Sequence, residues 1–298
     1  MEPKFSCVAE VSIPWHHFSA RMIFPISPPA AIAVLALATS ASGGNLVSEE
    51  PASTPNAAYP IGNGELGTLA SGRTDTETLL LLKSPTLSAA NPAEAGAGFS
   101  GTKLSSLKLD WLNSDKEVTD YHRTLDLEKG VVSTSFKRGR AGYRQTAFIS
   151  KAEDLLVLHL RTNMPGSLGF RISLKQGVAK PRIEDRRVLI LDGKTDEGSE
   201  IQTRVWIYPM ESDVSPGDGE ISVLGEGEAL ILVGVATGAD AISKLPQRMQ
   251  SYGFGGDDHP DIHKLWKSLL ERHQLAHKKS MPDGPVTLSG YLRSISKP

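Results

Sequence analysis

The stretch that decides the fold class is Ser167–Gly177, which reads SLGFRISLKQG and alternates apolar with polar residues. Its apolar positions are Leu168, Phe170, Ile172 and Leu174. A period of two places these side chains on one face of an extended chain, as in a strand that is half buried in a sheet. The segment therefore predicts a β-strand with one face in a hydrophobic core.

The same signal continues on both sides of this strand. Residues Ile201–Ile207 alternate in the same way, whereas Leu155–Leu160 and Leu230–Val235 are denser apolar runs that suit strands covered on both faces. Turn residues separate the runs, for example Met164–Gly166. The pattern predicts a mainly β fold, a large two-sheet antiparallel β-sandwich.

Only the C-terminal part has helical periodicity. Apolar residues at helical spacing begin at Ile262, which predicts one amphipathic linker helix over Pro260–Lys278, followed by an extended tail at Val286–Leu288. The apolar stripe of this helix is broad. We therefore expect an exposed patch with Trp266 or Leu270 in it, through which the chain self-associates or meets a partner.

The first 58 residues are predicted to lie outside the sandwich. Ala30–Ala38 is a short apolar run followed by small residues, which is typical of a signal peptide over residues 1–42 with cleavage after Ala41. A disordered Pro/Ala-rich tail is the alternative. Residues 1–21 suggest an over-extended start, with Met22 as the natural one, and residues 43–58 predict a disordered leader. A signal peptide implies a secreted, extracellular protein.

Composition argues against several kinds of partner. A formal net charge of −2 gives no electrostatic footprint for nucleic acid or for an acidic membrane surface. Cys7 is the single cysteine, so an intramolecular disulfide and a cysteine-based zinc site are excluded. No cofactor is predicted.

A glycine-rich motif precedes the strands. Gly62-Asn-Gly-Glu-Leu-Gly67 fits the spacing of the dinucleotide fingerprint, which requires a buried strand before it and a helix after it. The flanking sequence instead favours a hairpin with a turn at Ser71–Thr74. We therefore interpret the motif as a structural turn between strands, formed by Gly62, Asn63, Gly64 and Gly67.

Candidate catalytic and metal-binding motifs are incomplete. The pairs His259/His263 and His273/His277 have i, i+4 spacing but lack the neighbouring Glu of a metalloprotease motif, which favours a solvated helix face and no metal site. The sequence contains no Gly-x-Ser-x-Gly, and no catalytic pair can be chosen from its 34 acidic residues.

Three tryptophans are candidate platforms for sugar rings: Trp111, Trp206 and Trp266. Trp206 lies within an alternating strand and Trp266 on the apolar stripe of the helix, so both favour core packing. Trp111 stays open as a residue that could stack on a sugar.

Five motifs in a fixed order resemble the N-terminal domain of glycoside hydrolase family 95, the α-L-fucosidase family. They are Tyr59–Gly67 (YPIGNGELG), Leu104–Trp111 (LSSLKLDW), Tyr121–Gly130 (YHRTLDLEKG), Tyr143–Leu160, and the helix with Arg272-His273 together with the tail Val286–Leu288. The resemblance implies a super-sandwich domain over 59–256 and a linker helix and tail over 257–298. In that family, inverting hydrolysis takes place in a following (α/α)6 barrel, whose motifs have no match here. No catalytic residue is therefore carried over. Lys83–Leu87, Glu65 and Ser106 depart from the family pattern, which puts inherited substrate contacts in doubt.

Three hypotheses of function follow from these observations. The first is a truncated or degenerate family member that has no hydrolase activity of its own and docks on a helical catalytic barrel or self-associates. The second is a fragment of an active α-L-fucosidase whose barrel is encoded separately. The third is a carbohydrate-binding module for fucosylated glycans that uses Trp111 or the loops around His122 and Arg123.

Overall fold

The computed structural model describes residues 40–42, 44–87, 94–112, 115–209, 213–250, 252 and 261–296. The apolar run of the predicted signal peptide lies outside these residues. In chain order the strands are β1 (Ser40–Ser42), β2 (Asn45–Ser48), β3 (Tyr59–Gly62), β4 (Leu66–Ala70), β5 (Thr76–Thr86), β6 (Ser100–Trp111), β7 (Val118–Asp126), β8 (Val131–Arg138), β9 (Ala141–Ile149), β10 (Leu156–Thr162), β11 (Leu168–Lys175), β12 (Arg182–Glu184), β13 (Val188–Lys194), β14 (Glu200–Pro209), β15 (Asp213–Pro216), β16 (Glu220–Glu226) and β17 (Glu228–Thr237). The helices are α1 (Ala239–Gln250), α2 (Ile262–Ser280) and α3 (Leu288–Ile295).

These strands form two antiparallel sheets. A ten-stranded sheet has the order β1-β2-β7-β8-β9-β10-β17-β14-β13-β12, and a seven-stranded sheet has the order β15-β16-β11-β6-β5-β4-β3, both counted over the described residues. The sheets pack face to face around one hydrophobic core. The predicted mainly β, two-sheet sandwich is confirmed.

Alternating side chains build the core between the sheets. In β11, Leu168, Phe170 and Ile172 are fully buried, as their alternation predicts, and they share a cluster with Leu189 and Val205 of the ten-stranded sheet. Burying a side chain of this size stabilises the fold by roughly 1.5–3 kcal/mol relative to leaving it exposed.

The central strands of the ten-stranded sheet are covered on both faces, as their dense apolar runs predict. Leu156 of β10 points into the core between the sheets, while its neighbour Val157 points into a second cluster on the outer face. Helices α1 and α2 close that outer cluster, and Trp206 and Trp266 lie in it as predicted. The described residues therefore form a sandwich with a partial helical layer on one side.

The helices differ from the single linker helix that the sequence predicts. Helix α2 begins at Ile262 rather than at Pro260, because the Asp261 side chain caps it by accepting a hydrogen bond from the Lys264 N–H. It continues to Ser280, two residues beyond the predicted end.

Two further helices were missed. Helix α1 has Pro246 in its interior, and proline ordinarily argues against a helix. Helix α3 begins at Leu288, the last residue of the segment predicted as an extended tail, because the Thr287 hydroxyl accepts a hydrogen bond from the Gly290 N–H and caps a helix there.

The disordered leader expected at residues 43–58 is a second correction. Strand β2 pairs with β7, with Leu46 opposite Leu125, and Leu46 is fully buried in the core between the sheets. Ala52 and Ala58 are buried as well. The sequence pattern does not predict this strand, because only one of its four side chains, Leu46, is buried and the segment around it is polar.

The histidine pair His273/His277 is a third correction, because these residues do not lie on a solvated helix face. Their side chains are 1% and 0% exposed. The Nε2 atom of His273 is 3.0 Å from the Lys129 carbonyl, and Nε2 of His277 is 3.0 Å from the Leu127 carbonyl. A carbonyl can only accept, so both rings carry their proton on Nε2 and tie α2 to the β7–β8 turn.

Arg123 of β7 connects the two sheets. It is 2% exposed, and its guanidinium donates to the Ser71 carbonyl at 2.9 Å and to the Ala57 carbonyl at 3.1 Å. The same group stacks over the Tyr59 ring at 4.2 Å. One side chain of the ten-stranded sheet therefore holds both ends of the β3–β4 hairpin of the other sheet.

Glu77 of β5 holds the adjacent turn from the opposite side. Both oxygens of this fully buried carboxyl accept hydrogen bonds, from the Ser71 N–H at 2.7 Å and from the Arg73 N–H at 2.6 Å. The turn passes so close to β7 that a Cβ at Gly72 would lie 2.5 Å from the Tyr121 hydroxyl, and Gly72 has a positive φ of 71°.

We predict that Glu77→Gln lowers the free energy of unfolding by about 2–4 kcal/mol. The glutamine side chain has one oxygen, so its NH2 group would face either the Ser71 N–H or the Arg73 N–H, each of which donates to a carboxylate oxygen in the unmodified chain. Chemical denaturation measures this loss, with the exposed Glu197→Gln as the matched control. A Glu77→Gln variant as stable as the control would show that the carboxylate does not hold the turn.

We predict that stability falls as the pH drops from about 6.5 toward 4. Burial, with the neighbouring His277, lowers the pKa of His273 to about 4. Below the ordinary pKa the unfolded chain binds this proton first, so the folded state loses up to about 3 kcal/mol across that window.

Thermal unfolding followed from pH 7 to 4 tests this prediction. His273→Gln retains a side-chain N–H for the Lys129 carbonyl but cannot titrate, so its pH dependence should be shallower. The exposed His122→Gln serves as control and should follow the unmodified chain. Identical slopes in all three proteins would contradict the prediction.

Candidate functional site

The glycine motif forms the turn between β3 and β4. Gly62 ends β3, Gly67 lies in β4, and a strand rather than a helix follows the motif, so the dinucleotide alternative is wrong. Asn63 organises the turn: its Oδ1 accepts from the Leu66 N–H at 2.7 Å, and its Nδ2 donates to Asp154 Oδ1 at 2.8 Å.

The same turn receives the C-terminal helix. The Gly64 N–H donates to the Ile295 carbonyl at 3.1 Å, and a Cβ at Gly62 would lie 2.8 Å from that carbonyl oxygen. The buried Tyr291 hydroxyl donates to the Pro60 carbonyl at 2.7 Å. The absence of a side chain at Gly62 therefore lets α3 pack directly on β3.

The turn between β9 and β10 joins all three helices. Glu153 Oε1 is 2.6 Å from Arg272 Nε of α2, and the Glu153 carbonyl accepts a hydrogen bond from Arg248 of α1. Lys151 donates to the carbonyl of Ser294 in α3 and, at 3.3 Å, to the carbonyl of Asn63. The turn and the glycine motif together form one polar junction between the helices and the sandwich.

A groove of about 430 Å³ lies on the outer face of the ten-stranded sheet, beside α2. Its wall is formed by Trp266, Leu270 and Gln274 of the helix. Its floor is polar and comes from β7 to β10, with a row of side chains directly opposite one another in the sheet: Thr124, Ser133, Thr146 and His159. Helix α2 leaves this part of the sheet uncovered.

Two arginines lie next to that row. Arg144 of β9 and Arg161 of β10 are register partners and line the same groove. Arg161 is 3.9 Å from Glu228, which also bonds His159 at 2.5 Å. Among the described residues, Arg144 has no hydrogen-bond or ion-pair partner.

The carboxyl group that lines the groove, Asp126, and the one behind it, Glu228, are both engaged by neighbouring side chains. Hydrogen bonding from His159 lowers the pKa of Glu228, and Asp126 pairs with Lys129 at 2.5 Å. The carboxyl whose pKa burial raises, Glu77, is enclosed and accepts from backbone N–H groups. Within the described parts of the chain, His, Cys, Asp and Glu form no group of three that could hold a metal ion.

The residues named for a carbohydrate-binding module do not form a surface. Trp111 is 3% exposed and packs edge-on against Phe136 and Tyr143, with ring centroids 5.4 and 5.8 Å away. His122 and Arg123 lie in strand β7 rather than in a loop, Arg123 is buried between the sheets, and only His122 is exposed. Trp111 is therefore a core residue and cannot stack on a sugar.

Sequence reasoning missed the groove. Ser133, Thr146 and His159 are polar residues of three neighbouring strands, but their common row depends on strand register, which the sequence pattern does not specify.

Across the helices that the structure describes, none combines the length and apolar character needed to cross a membrane.

We predict that Asn63→Ala destabilises the chain by about 2 kcal/mol, because it removes both the turn acceptor and the donor to Asp154. Amide hydrogen exchange should show faster exchange in α3, which docks on this turn. Glu65→Ala in the same exposed turn is the control and should change neither quantity. An Asn63→Ala protein with unchanged α3 protection would contradict the role of this side chain.

Known proteins were compared with the chain by sequence and by fold. "Alpha-L-fucosidase 2" of Arabidopsis thaliana is 26% identical over an alignment that covers 39% of this chain and 18% of the relative. The chain therefore matches a small part of the length of that relative. Two solved structures align with most of this chain. "Putative kojibiose phosphorylase from human microbiome" is 11% identical over 81% of this chain and 39% of that chain, with a TM-score of 0.44. The family GH92 alpha-mannosidase of Bacteroides thetaiotaomicron is 10% identical over 80% of this chain and 34% of that chain, with a TM-score of 0.25.

A family of domains matches over a longer range. Residues 85–241, more than half of the chain, match the family described as "Glycosyl hydrolase family 65, N-terminal domain". This match confirms the expected glycoside hydrolase N-terminal domain, but it does not show the expected family 95. The chain therefore belongs to the family of glycosyl hydrolase family 65 N-terminal domains.

Proposed function

We propose that this chain is the N-terminal sandwich domain of an α-L-fucosidase-like glycoside hydrolase, and that it supports catalysis by another module rather than hydrolysing sugars itself. The relation to the Arabidopsis protein named α-L-fucosidase 2 supports the specific activity class. The fucosidase-like order of motifs from Tyr59 to Leu160 supports the same class.

One observation carries the proposal. The motif that most resembles the fucosidase family, Tyr59–Gly67, forms the junction that receives α3 and the β9–β10 turn. Its glycines serve close backbone packing, so the motif organises the side of the sandwich where the three helices meet. We expect this junction to orient a helical catalytic barrel, on the same polypeptide or on a separate chain.

The proposed lack of activity rests on the state of the carboxyl groups. Glycoside hydrolysis needs a carboxylic acid with a raised pKa that faces the sugar, together with a second carboxylate. Beside the groove, Glu228 is bonded to His159 and has a lowered pKa, and in the groove Asp126 is paired with a lysine. Glu77 has a raised pKa but is enclosed by the turn it holds.

We also propose that helix α2 contacts a partner, which is either the catalytic barrel or a second copy of this chain. Trp266, expected in an exposed patch, is 9% exposed and stacks on His159 at 4.2 Å, and Leu270 is half-buried. Leu275 is the exposed apolar residue of this helix, at 64%. A barrel or a second copy would therefore contact the side of α2 that carries Leu275. Secretion and binding of fucosylated glycans stay predictions.

We predict that the purified chain does not hydrolyse a chromogenic α-L-fucoside, because none of the groove carboxyls described above is poised as a proton donor. The Arabidopsis relative assayed in parallel provides the positive control. Turnover by the pure chain that persists in Glu228→Gln would overturn the proposal and show a catalytic site elsewhere. Turnover that is lost in Glu228→Gln would overturn it too, by assigning catalysis to the groove.

The coding sequence beyond Pro298 would show whether the proposed barrel is on the same polypeptide or on a separate chain. Barrel-coding sequence in frame would show that the sandwich works within a longer fucosidase chain. Its absence would favour a separately encoded barrel.

A further inference from the structure

We propose that the groove beside α2 binds a saccharide unit that carries an oxyanion, either a carboxylate or a sulfate. The saccharide part of this inference rests on the proposed function. The anion part rests on the groove itself, through the arrangement of Arg144 and Arg161.

The first argument is the pairing of like charges. Arg144 and Arg161 lie directly opposite each other on β9 and β10, so their Cβ atoms are roughly 5 Å apart on the same face. Like charges in this position destabilise a sheet, and an anion bound between them would relieve that repulsion. Two guanidinium groups at this spacing can hold one carboxylate or sulfate by several charge-assisted hydrogen bonds.

The second argument is the charge that the groove leaves uncompensated. Glu228 compensates the charge of Arg161 at 3.9 Å, and Lys129 is neutralised by Asp126. No described carboxylate lies within ion-pair distance of Arg144, whose side chain is exposed to the groove. The site therefore has a net positive charge that an anionic ligand would neutralise.

The third argument is the hydroxyl row. Thr124, Ser133 and Thr146 are neighbours on three consecutive strands and line the groove. Over the described residues, none of these hydroxyls has a protein hydrogen-bond partner. The row lies two residues along the strands from the arginines, roughly 7 Å, which is comparable to the width of a hexose ring.

The wall of the groove fits the same ligand. Leu270, which is half-buried, offers apolar contact for the C–H face of a sugar beside the largely buried Trp266, while Gln274 offers an amide. Trp266 is held in place by stacking on His159, so its position does not depend on a ligand. The groove therefore combines a fixed apolar wall, a hydroxyl floor and a cationic end.

The test compares ligands that differ at one carbon. Isothermal titration calorimetry of the whole chain at low salt uses galacturonate, galactose 6-sulfate, galactose and inorganic sulfate. We expect at least one of the two anionic sugars to bind about tenfold or more tightly than both galactose and inorganic sulfate. The two anionic sugars distinguish a carboxylate from a sulfate ligand.

The variants separate a binding role from a structural one. Arg144→Gln should weaken the preferred anionic sugar about tenfold, while its melting temperature stays equal or rises because a like-charge contact is removed. Arg293→Gln, on the exposed side of α3, is the control and should leave affinity unchanged. A structural arginine would instead lose stability on substitution.

Three results would overturn the proposal. Galactose binding as tightly as the acidic sugars would show that the arginines contribute nothing. Inorganic sulfate binding equally well would reduce the site to an adventitious ion only. Unchanged affinity in Arg144→Gln would place the binding elsewhere. None of these results depends on the fucoside assay, so each proposal can fail without the other.

Discussion

The guanidinium of Arg123 is the interaction on which the register between the two sheets depends. It leaves the ten-stranded sheet and ends on the Ser71 and Ala57 carbonyls, which flank the β3–β4 hairpin of the seven-stranded sheet, while its plane covers the Tyr59 ring. Hydrophobic contacts alone hold sheets together without fixing their relative position, because such contacts have no direction. Hydrogen bonds from one planar group to two fixed carbonyls do impose a direction.

A buried cation in this position would be costly without a nearby negative charge. Glu77 supplies that charge from the other side of the β4–β5 turn, and the Gly72 backbone passes between them. The glycine, the arginine and the carboxylate therefore depend on each other: a side chain at Gly72 would collide with Arg123 and Tyr121. The β3–β4 turn, the helix α3 and the junction they form are all built on this fixed hairpin.

Features that depend on local sequence pattern could be predicted, whereas features that depend on tertiary contacts or on strand register could not. The strand of Leu168, Phe170 and Ile172 could be predicted because alternation is a local property. The buried histidines of α2 could not, because spacing shows that His273 and His277 share a helix face but not what lies against that face. The arginine pair in the groove required strand register, which brings Arg144 and Arg161 together across 17 positions of sequence. Leu46 was missed because one buried side chain in a polar segment has no period.

The order of strands has a consequence for how this domain can meet other proteins. Within the part of the chain that the structure describes, the four strands at the sheet edges are β1, β12, β15 and β3, and each is only three or four residues long. β12 carries the exposed charges Arg182 and Glu184, while β15 ends at Pro216 and β3 contains Pro60, which has no N–H to donate. Short, charged or proline-bearing edges resist the addition of a foreign strand, so the domain is protected against edge-to-edge aggregation. A partner therefore has to recognise side chains on a face or a turn, where sequence can set specificity, rather than the backbone of an open edge.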